Sequence, residues 1–329
     1  MTLARNPTAV SQANLSAQDF FGLRLQIETF APGAPTPAAT LGWRASSVAL
    51  FSGLAALSGN DTQRAVALGP DGVMVAGIGR VLRVVNPSTV SGAAGYASFE
   101  PYLESLKSGP STTVKGRYDG RQGVTGPEFV AQDYELQASV LADGTLELTG
   151  SARVVGAIAI RISEEELLKP GGIYGANPVS MINGAPHSND NSVYDAIIRD
   201  ILGGLNLGLV GNSATNPKTG NAYKDDPTDQ WYAPPPIPAD RAFAYAQPDH
   251  ANFYNQFAAF LAPLSDAYGF AYSDLIQSPL ADINPSRVDR MVITLLPDGM
   301  AGPKAVPEPG VLALLALGAL ALLRRRRGS

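Results

Sequence analysis

Tyr268, Phe270 and Tyr272 alternate with Gly269, Ala271 and Ser273, and Asp274 follows directly. At the period of a strand this puts three rings on one face, leaves the other face nearly bare, and ends on a carboxylate. Flat rings beside an acid suit a sugar, whose C–H bonds pack on the ring while its hydroxyls need acceptors. The same spacing also describes an ordinary core strand, which composition alone favours. Trp231, one of two tryptophans, is either a further sugar platform or a packing anchor for a loop. Glu135 and Glu147 invite reading as a carboxylate pair across a hairpin, but apolar alternate positions around them predict solvent-facing ladder residues. With no cysteine and only His187 and His250, thiolate chemistry is excluded and neither a histidine-rich metal site nor a cofactor is expected. His187, in NGAPHSNDN, reads as an exposed loop residue, and His250 as a cap or groove residue.

The elements that must position these groups follow from periodicity. Phe253, Phe257, Phe260 and Leu261 recur at helical spacing, predicting a helix of about three turns that Pro263 stops. It leads directly into the ring-bearing strand. Ala13 to Phe30 reads as a strand, a turn at Gly22 and a second strand, and 31–42 as a proline-rich loop. Ser46 to Leu57 reads as a short helix, VLRVV as a strand ending in a turn at Asn86-Pro87, and Ser98 to Ser108 as a helix. From Thr112 to Ile162 short strands alternate, with Asp143-Gly144 as a hairpin turn. A long helix capped by Ser192 is predicted to end at Gly203-Gly204, and 212–249 reads as a surface loop. MVITLL (291–296) is the last strand. The chain has 34 Gly, 26 Pro, 16% charged residues and a net charge of −5. That balance predicts a β-rich α+β fold with many turns and gives no electrostatic basis for binding nucleic acid.

Several of these segments carry a family resemblance. FYNQFAAFL followed by AYGFAYSD, SAQDFFGLRL at residues 16–25, RVLRVVNPSTVSG and SFEPYLESLKS resemble, in that arrangement, segments of the bacterial β-1,3-glucanases of glycoside hydrolase family 64, which contain a thaumatin-like domain. The resemblance implies a thaumatin-like β-sandwich or barrel part with a mixed α/β part, over residues 1–298. It implies Asp19 as catalytic general base, with Ser16 three residues earlier at a matching polar position. Ser16, Trp231, Tyr268, Phe270, Tyr272 and Asp274 are then the expected substrate-binding residues. Ser273 stands where the family has an acid. Inverting glycosidases need two carboxyls roughly 6.5 to 9.5 Å apart. The family's acid lies a strand and a turn upstream of the base, yet no Glu precedes Glu28. The expectation is therefore that Met1 is not the natural start and that the acid, with a signal segment, lies upstream. The implied activity is endo-cleavage of β-1,3-glucan in an open groove by a monomer. The alternative is a noncatalytic carbohydrate-binding or biofilm-matrix protein on the same scaffold.

The C-terminus carries a separate signal. Val306-Pro307-Glu308-Pro309 precedes an apolar run from Gly310 to Leu323, and Arg324, Arg325, Arg326 and Arg327 follow. An arginine block cannot follow an apolar helix into a core, whereas it holds the cytoplasmic end of a transmembrane helix over 310–323. The pattern resembles the PEP-CTERM sorting tag of Gram-negative bacteria (306–329, after a linker over 299–305). The tag implies export across the inner membrane, recognition by an exosortase there, transient anchoring, and delivery to the cell surface or matrix.

Overall fold

The computed structural model describes residues 12–90, 95–107, 109–231, 253–271, 280–284 and 287–296. Within these the protein is β-rich, with four sheets and a few helices around two hydrophobic cores.

The first core gathers the N-terminal part. Strands β1 (Gln12–Asn14), β2 (Phe20–Phe21), β3 (Leu25–Phe30), β4 (Ala39–Leu41), β5 (Val66–Val75) and β6 (Gly79–Val85) form parts of three small sheets. The chain changes sheets at Gly22: β2 pairs with β6, Phe20 opposite Val85, whereas β3 pairs with β4 and with the last strand, Arg290–Leu295. Helix α1 (Ser47–Leu57) covers these sheets, started by Ser46, whose Oγ accepts from the Ala49 N–H. Phe21, Trp43 and Phe51 meet in this core at ring-centroid distances of 4.7 and 4.8 Å.

The second core is built on one antiparallel sheet of six strands: β7 (Thr112–Tyr118), β8 (Gln132–Val140), β9 (Leu146–Ala152), β10 (Gly156–Ile162), β11 (Ser180–Ile182) and β12 (Ala185–His187), paired in chain order. Strict alternation decides its inner face: Tyr134, Leu136 and Ala138 are buried while Asp133 and Glu135 are exposed. The Asp143-Gly144 turn joins β8 and β9 as the sequence predicts, with Gly144 at φ 81°. Short helices α2 (Glu100–Leu106) and α3 (Glu164–Leu168) and the longer α4 (Val193–Leu207) complete this half.

Two expectations fail here for packing reasons. Helix α4 runs through Gly203-Gly204 to Leu207 and stops at Gly208, which is left-handed at φ 76°. Gly204 is an interior notch: a Cβ there would meet the Trp231 ring at 2.2 Å. Residues 212–231 are surface loop only in part, with 217–221 exposed. Asn212, Asn216, Asp226, Thr228 and Trp231 are buried, and Thr228 exchanges hydrogen bonds with the Lys115 backbone on the edge strand β7 (3.0 and 2.9 Å). The rest of that predicted loop, 232–249, lies outside the described residues, as do His250 and the apolar run 310–323. Among the described residues no helix is long and apolar enough to cross a membrane.

Helix α5 (Thr228–Trp231) is followed, after the undescribed stretch, by α6 (Gln256–Leu261), shorter than its predicted three turns. Asn255 caps α6 by accepting from the Ala258 N–H at 3.0 Å. Phe257 and Leu261, one turn apart, enter the first core; Ala258 and Ala262 enter the second. The helix joins the two cores.

Candidate functional site

The segment after α6 threads between strands of the N-terminal half. As far as residue 271 it makes two isolated bridges rather than a ladder: Ser265 opposite Trp43, and Tyr268 parallel to Ser16. The Ala17 N–H donates to the Tyr268 carbonyl (2.8 Å), and the Tyr268 N–H to the Leu15 carbonyl (3.0 Å). The bare face is used for packing, since a Cβ on Gly269 would stand 3.0 Å from the Ala258 Cα in α6.

Asn86 locks this arrangement. It is the residue after β6, is 1% exposed, and its Nδ2 donates to the carbonyls of Ala17 and Gly269, both at 3.0 Å. Its N–H donates to the Asp19 carbonyl at 2.8 Å, and its Oδ1 accepts from the Ser88 N–H at 2.9 Å. Thr89 Oγ1 also donates to the Asp19 carbonyl (2.9 Å), and Gln18 Nε2 donates to the Phe270 carbonyl (3.3 Å). A single buried amide thus ties a turn near residue 17 to a segment about 250 positions later. The sequence marks Asn86-Pro87 as a turn, but nothing in it marks the amide as a hub.

The side chains carried on this frame are sorted by burial. Asp19 and Ser16 are exposed and Tyr268 is half-buried. No described residue hydrogen-bonds the Asp19 carboxylate or pairs with it, so a fixed backbone presents a solvated acid. Such a group can hold a hydroxyl or take a proton from a water. Phe270 is 2% exposed and belongs to the second core, and Trp231 is 3% exposed. The Trp231 Nε1 donates to the carbonyls of Tyr223 and Asp226 at 3.0 Å each. Neither ring offers a face to a sugar; both are packing residues, as the alternative reading allowed. Tyr272 and Asp274 lie outside the described residues.

Glu135 and Glu147 are ladder residues. Glu135 lies directly across from Lys115 (3.7 Å), and Glu147 bonds Arg161 Nε at 2.7 Å. Glu135 also borders a concavity missed by sequence reasoning, about 460 Å3, lined by Lys115, Arg117 and Arg153 together with Asp133, Glu135 and Asp229. On the buried face of the same strand, β8, the Tyr134 hydroxyl donates to Asp200 Oδ2 at 2.5 Å. Burial raises the Asp200 carboxyl above its ordinary range, against the lowering pull of Arg199 and of that hydrogen bond. A glycine at 116 makes the contact possible, because a Cβ would stand 2.5 Å from the Tyr134 oxygen. His187 is also not the exposed loop residue expected: it ends β12, is half-buried, and contacts Asp195 Oδ1 through Nε2 at 3.1 Å.

Comparison with known proteins adds two findings. Residues 305–327 match the PEP-CTERM protein-sorting motif, so the chain carries that C-terminal sorting signal of Gram-negative export. Among solved structures, a crystal structure of a β-1,3-glucanase domain (GH64) from Clostridium beijerinckii aligns with 86% of this chain and 60% of its own, at 16% identity and a TM-score of 0.46. The chain thus spans less than two thirds of that protein's length, and likeness at this level assigns it neither fold nor activity. No curated protein matches the chain.

Proposed function

We propose that the chain is an exported β-1,3-glucan hydrolase-like protein, residues 1–298 forming a thaumatin-like glucanase domain and 306–329 its exosortase-processed tag. The observation that carries the reading is the hydrogen-bonded union of the Ser16–Asp19 turn with the Tyr268–Phe270 segment. These are the two stretches whose residues resemble glycoside hydrolase family 64 most directly, and the fold brings them together from opposite ends of the domain. Asp19 acts as general base on a water in an inverting displacement, Ser16 holds a substrate hydroxyl, and Tyr268, Tyr272 and Asp274 serve as further substrate-binding residues. The sorting motif supports release of the product outside the inner membrane.

A second reading, in which the same residues bind glucan without cleaving it, is favoured by the solvated Asp19, whose carboxylate no described residue hydrogen-bonds. Reducing-sugar release from laminarin by the full chain, with Asp19→Asn alongside, separates the two. The hydrolase reading expects release by the parent chain and a loss of about 100-fold or more in the variant. Release unchanged in Asp19→Asn removes that residue from the mechanism. No release, with retention on insoluble β-1,3-glucan, favours the binding protein.

A further inference from the structure

The hairpin β11–β12 and the start of α4 enclose a cluster of donors that the glucan reading does not use. The hairpin turns at Asn183-Gly184, both left-handed (φ 48° and 85°), and brings Ser180 directly opposite His187. Directly opposed residues point to the same face of a sheet, so the Ser180 hydroxyl and the imidazole share one side. Asp195, in the first turn of α4, and Asp190, in the loop before it, meet them there. His187 Nε2 stands 3.1 Å from Asp195 Oδ1 and 3.9 Å from Asp190 Oδ1, and ligand atoms of all three lie within 4.8 Å of one another.

We propose that His187, Asp190 and Asp195 form a binding site for one first-row divalent cation of the zinc type, clipping the β11–β12 hairpin to the N-terminus of α4. With metal–ligand bonds of about 2.0 to 2.2 Å, neighbouring donors in a tetrahedral or octahedral shell stand about 3.0 to 3.5 Å apart. The His187–Asp195 spacing already has that value, and Asp190 is about half an ångström beyond it. One imidazole nitrogen and two carboxylates suit zinc, cobalt or manganese better than calcium, which takes an all-oxygen shell. The two carboxylates neutralise the ion.

A second observation points to an occupant. Ser180 is 1% exposed, and its Oγ is buried with no hydrogen-bond partner. A buried orphan hydroxyl is rare enough to require a reason, often a water or ion beside it. Ser180, His187 and Asp195 line one small cavity, of about 10 Å3. That is room for roughly one water-sized particle. A water completing the metal's shell would satisfy the serine. The carboxylate of Asp195 is held from behind, its Oδ2 accepting from the N–H groups of Asp190 and Ser192 at 3.0 Å each, which orients Oδ1 as a ligand. Binding displaces the proton from Nε2 and leaves the neutral imidazole with its proton on Nδ1.

The test is equilibrium dialysis of the full, metal-stripped chain against zinc, with bound metal measured per chain, and the d–d absorption of a cobalt-loaded sample to report coordination. One equivalent is expected, with a rise in Tm. His187→Gln and Asp190→Asn should each weaken binding by at least about tenfold while retaining the parent circular dichroism. His250→Ala, which removes the chain's other histidine, should leave it unchanged. Absence of stoichiometric zinc in the parent chain, or equal binding in both variants, overturns the site and leaves Ser180 with a cavity water alone. Neither outcome depends on glucan hydrolysis.

Discussion

Asn86 and Asp200 illustrate two ways in which one buried polar side chain governs its surroundings. Asn86→Ala removes the donor that serves the Ala17 and Gly269 carbonyls, leaving both without that partner in the interior. At about 0.5–1.5 kcal/mol for each lost hydrogen bond, the variant should lose roughly 1–3 kcal/mol in urea unfolding. If Asp19 is the catalytic base, hydrolysis should fall as well, because the turn that carries it loses its anchor. At Asp200 the sign of the pH dependence follows from burial. Its folded-state carboxyl is raised above the unfolded value, so the folded chain binds the proton more tightly. The associated stability is fully present below the unfolded carboxylate range and is lost as pH rises through the raised folded value. Asp200→Asn keeps an oxygen for the Tyr134 hydroxyl but removes the titration. Its stability should therefore fall less than that of the parent chain as pH rises from the ordinary carboxylate range through the raised folded value. Of these residues, sequence reasoning found the Asn86 turn through the Asn-Pro pair. It could not find either role, because both partners lie across the fold: Ala17 is 69 positions away from Asn86, and Tyr134 is 66 from Asp200.

At the scale of elements, local pattern was a good guide and glycine a misleading one. Alternation and capping made the β8–β10 strands, the Asp143-Gly144 turn and the start of α4 at Ser192 legible, since each is decided by neighbours in sequence. Gly203-Gly204 reads as a helix stop, yet α4 continues because Trp231 needs the missing Cβ more than the backbone needs to end. Gly53 has the same role in α1, where an added Cβ would meet the Phe260 ring at 2.1 Å. Alanine in a helix interior ordinarily gains about 1 kcal/mol over glycine. Here overpacking should outweigh that gain. Gly204→Ala and Gly53→Ala should each lose about 1–3 kcal/mol in denaturant midpoint, with far-UV helical signal intact. A gain in either variant would mean that the ring moves freely and that the notch is no lock. Over 268–271, the described part of the expected strand, pairing is limited to the Tyr268 bridge, and the bare Gly269 answers to the close approach of α6.

The whole molecule depends on a helix of barely two turns serving two cores at once. Phe257 and Leu261 fill one and Ala258 and Ala262 the other, so separating the halves would expose both faces of α6. The two halves should therefore unfold together, although each has its own sheets. The chain is suited to the measurement, since Trp43 is buried in the first core and Trp231 in the second, and there are no other tryptophans. Trp43→Phe and Trp231→Phe give one fluorescent reporter per core, and in each variant the remaining tryptophan and the far-UV signal should move through one common transition in urea. Leu261→Ala should cost about 2–5 kcal/mol. Introduced into either single-tryptophan chain, it should lower both reporters' midpoints equally. Were the Trp231 signal to keep its midpoint while the Trp43 signal fell, α6 would belong to the N-terminal core alone. The Asp19 turn would then sit on a half free to open away from the six-stranded sheet.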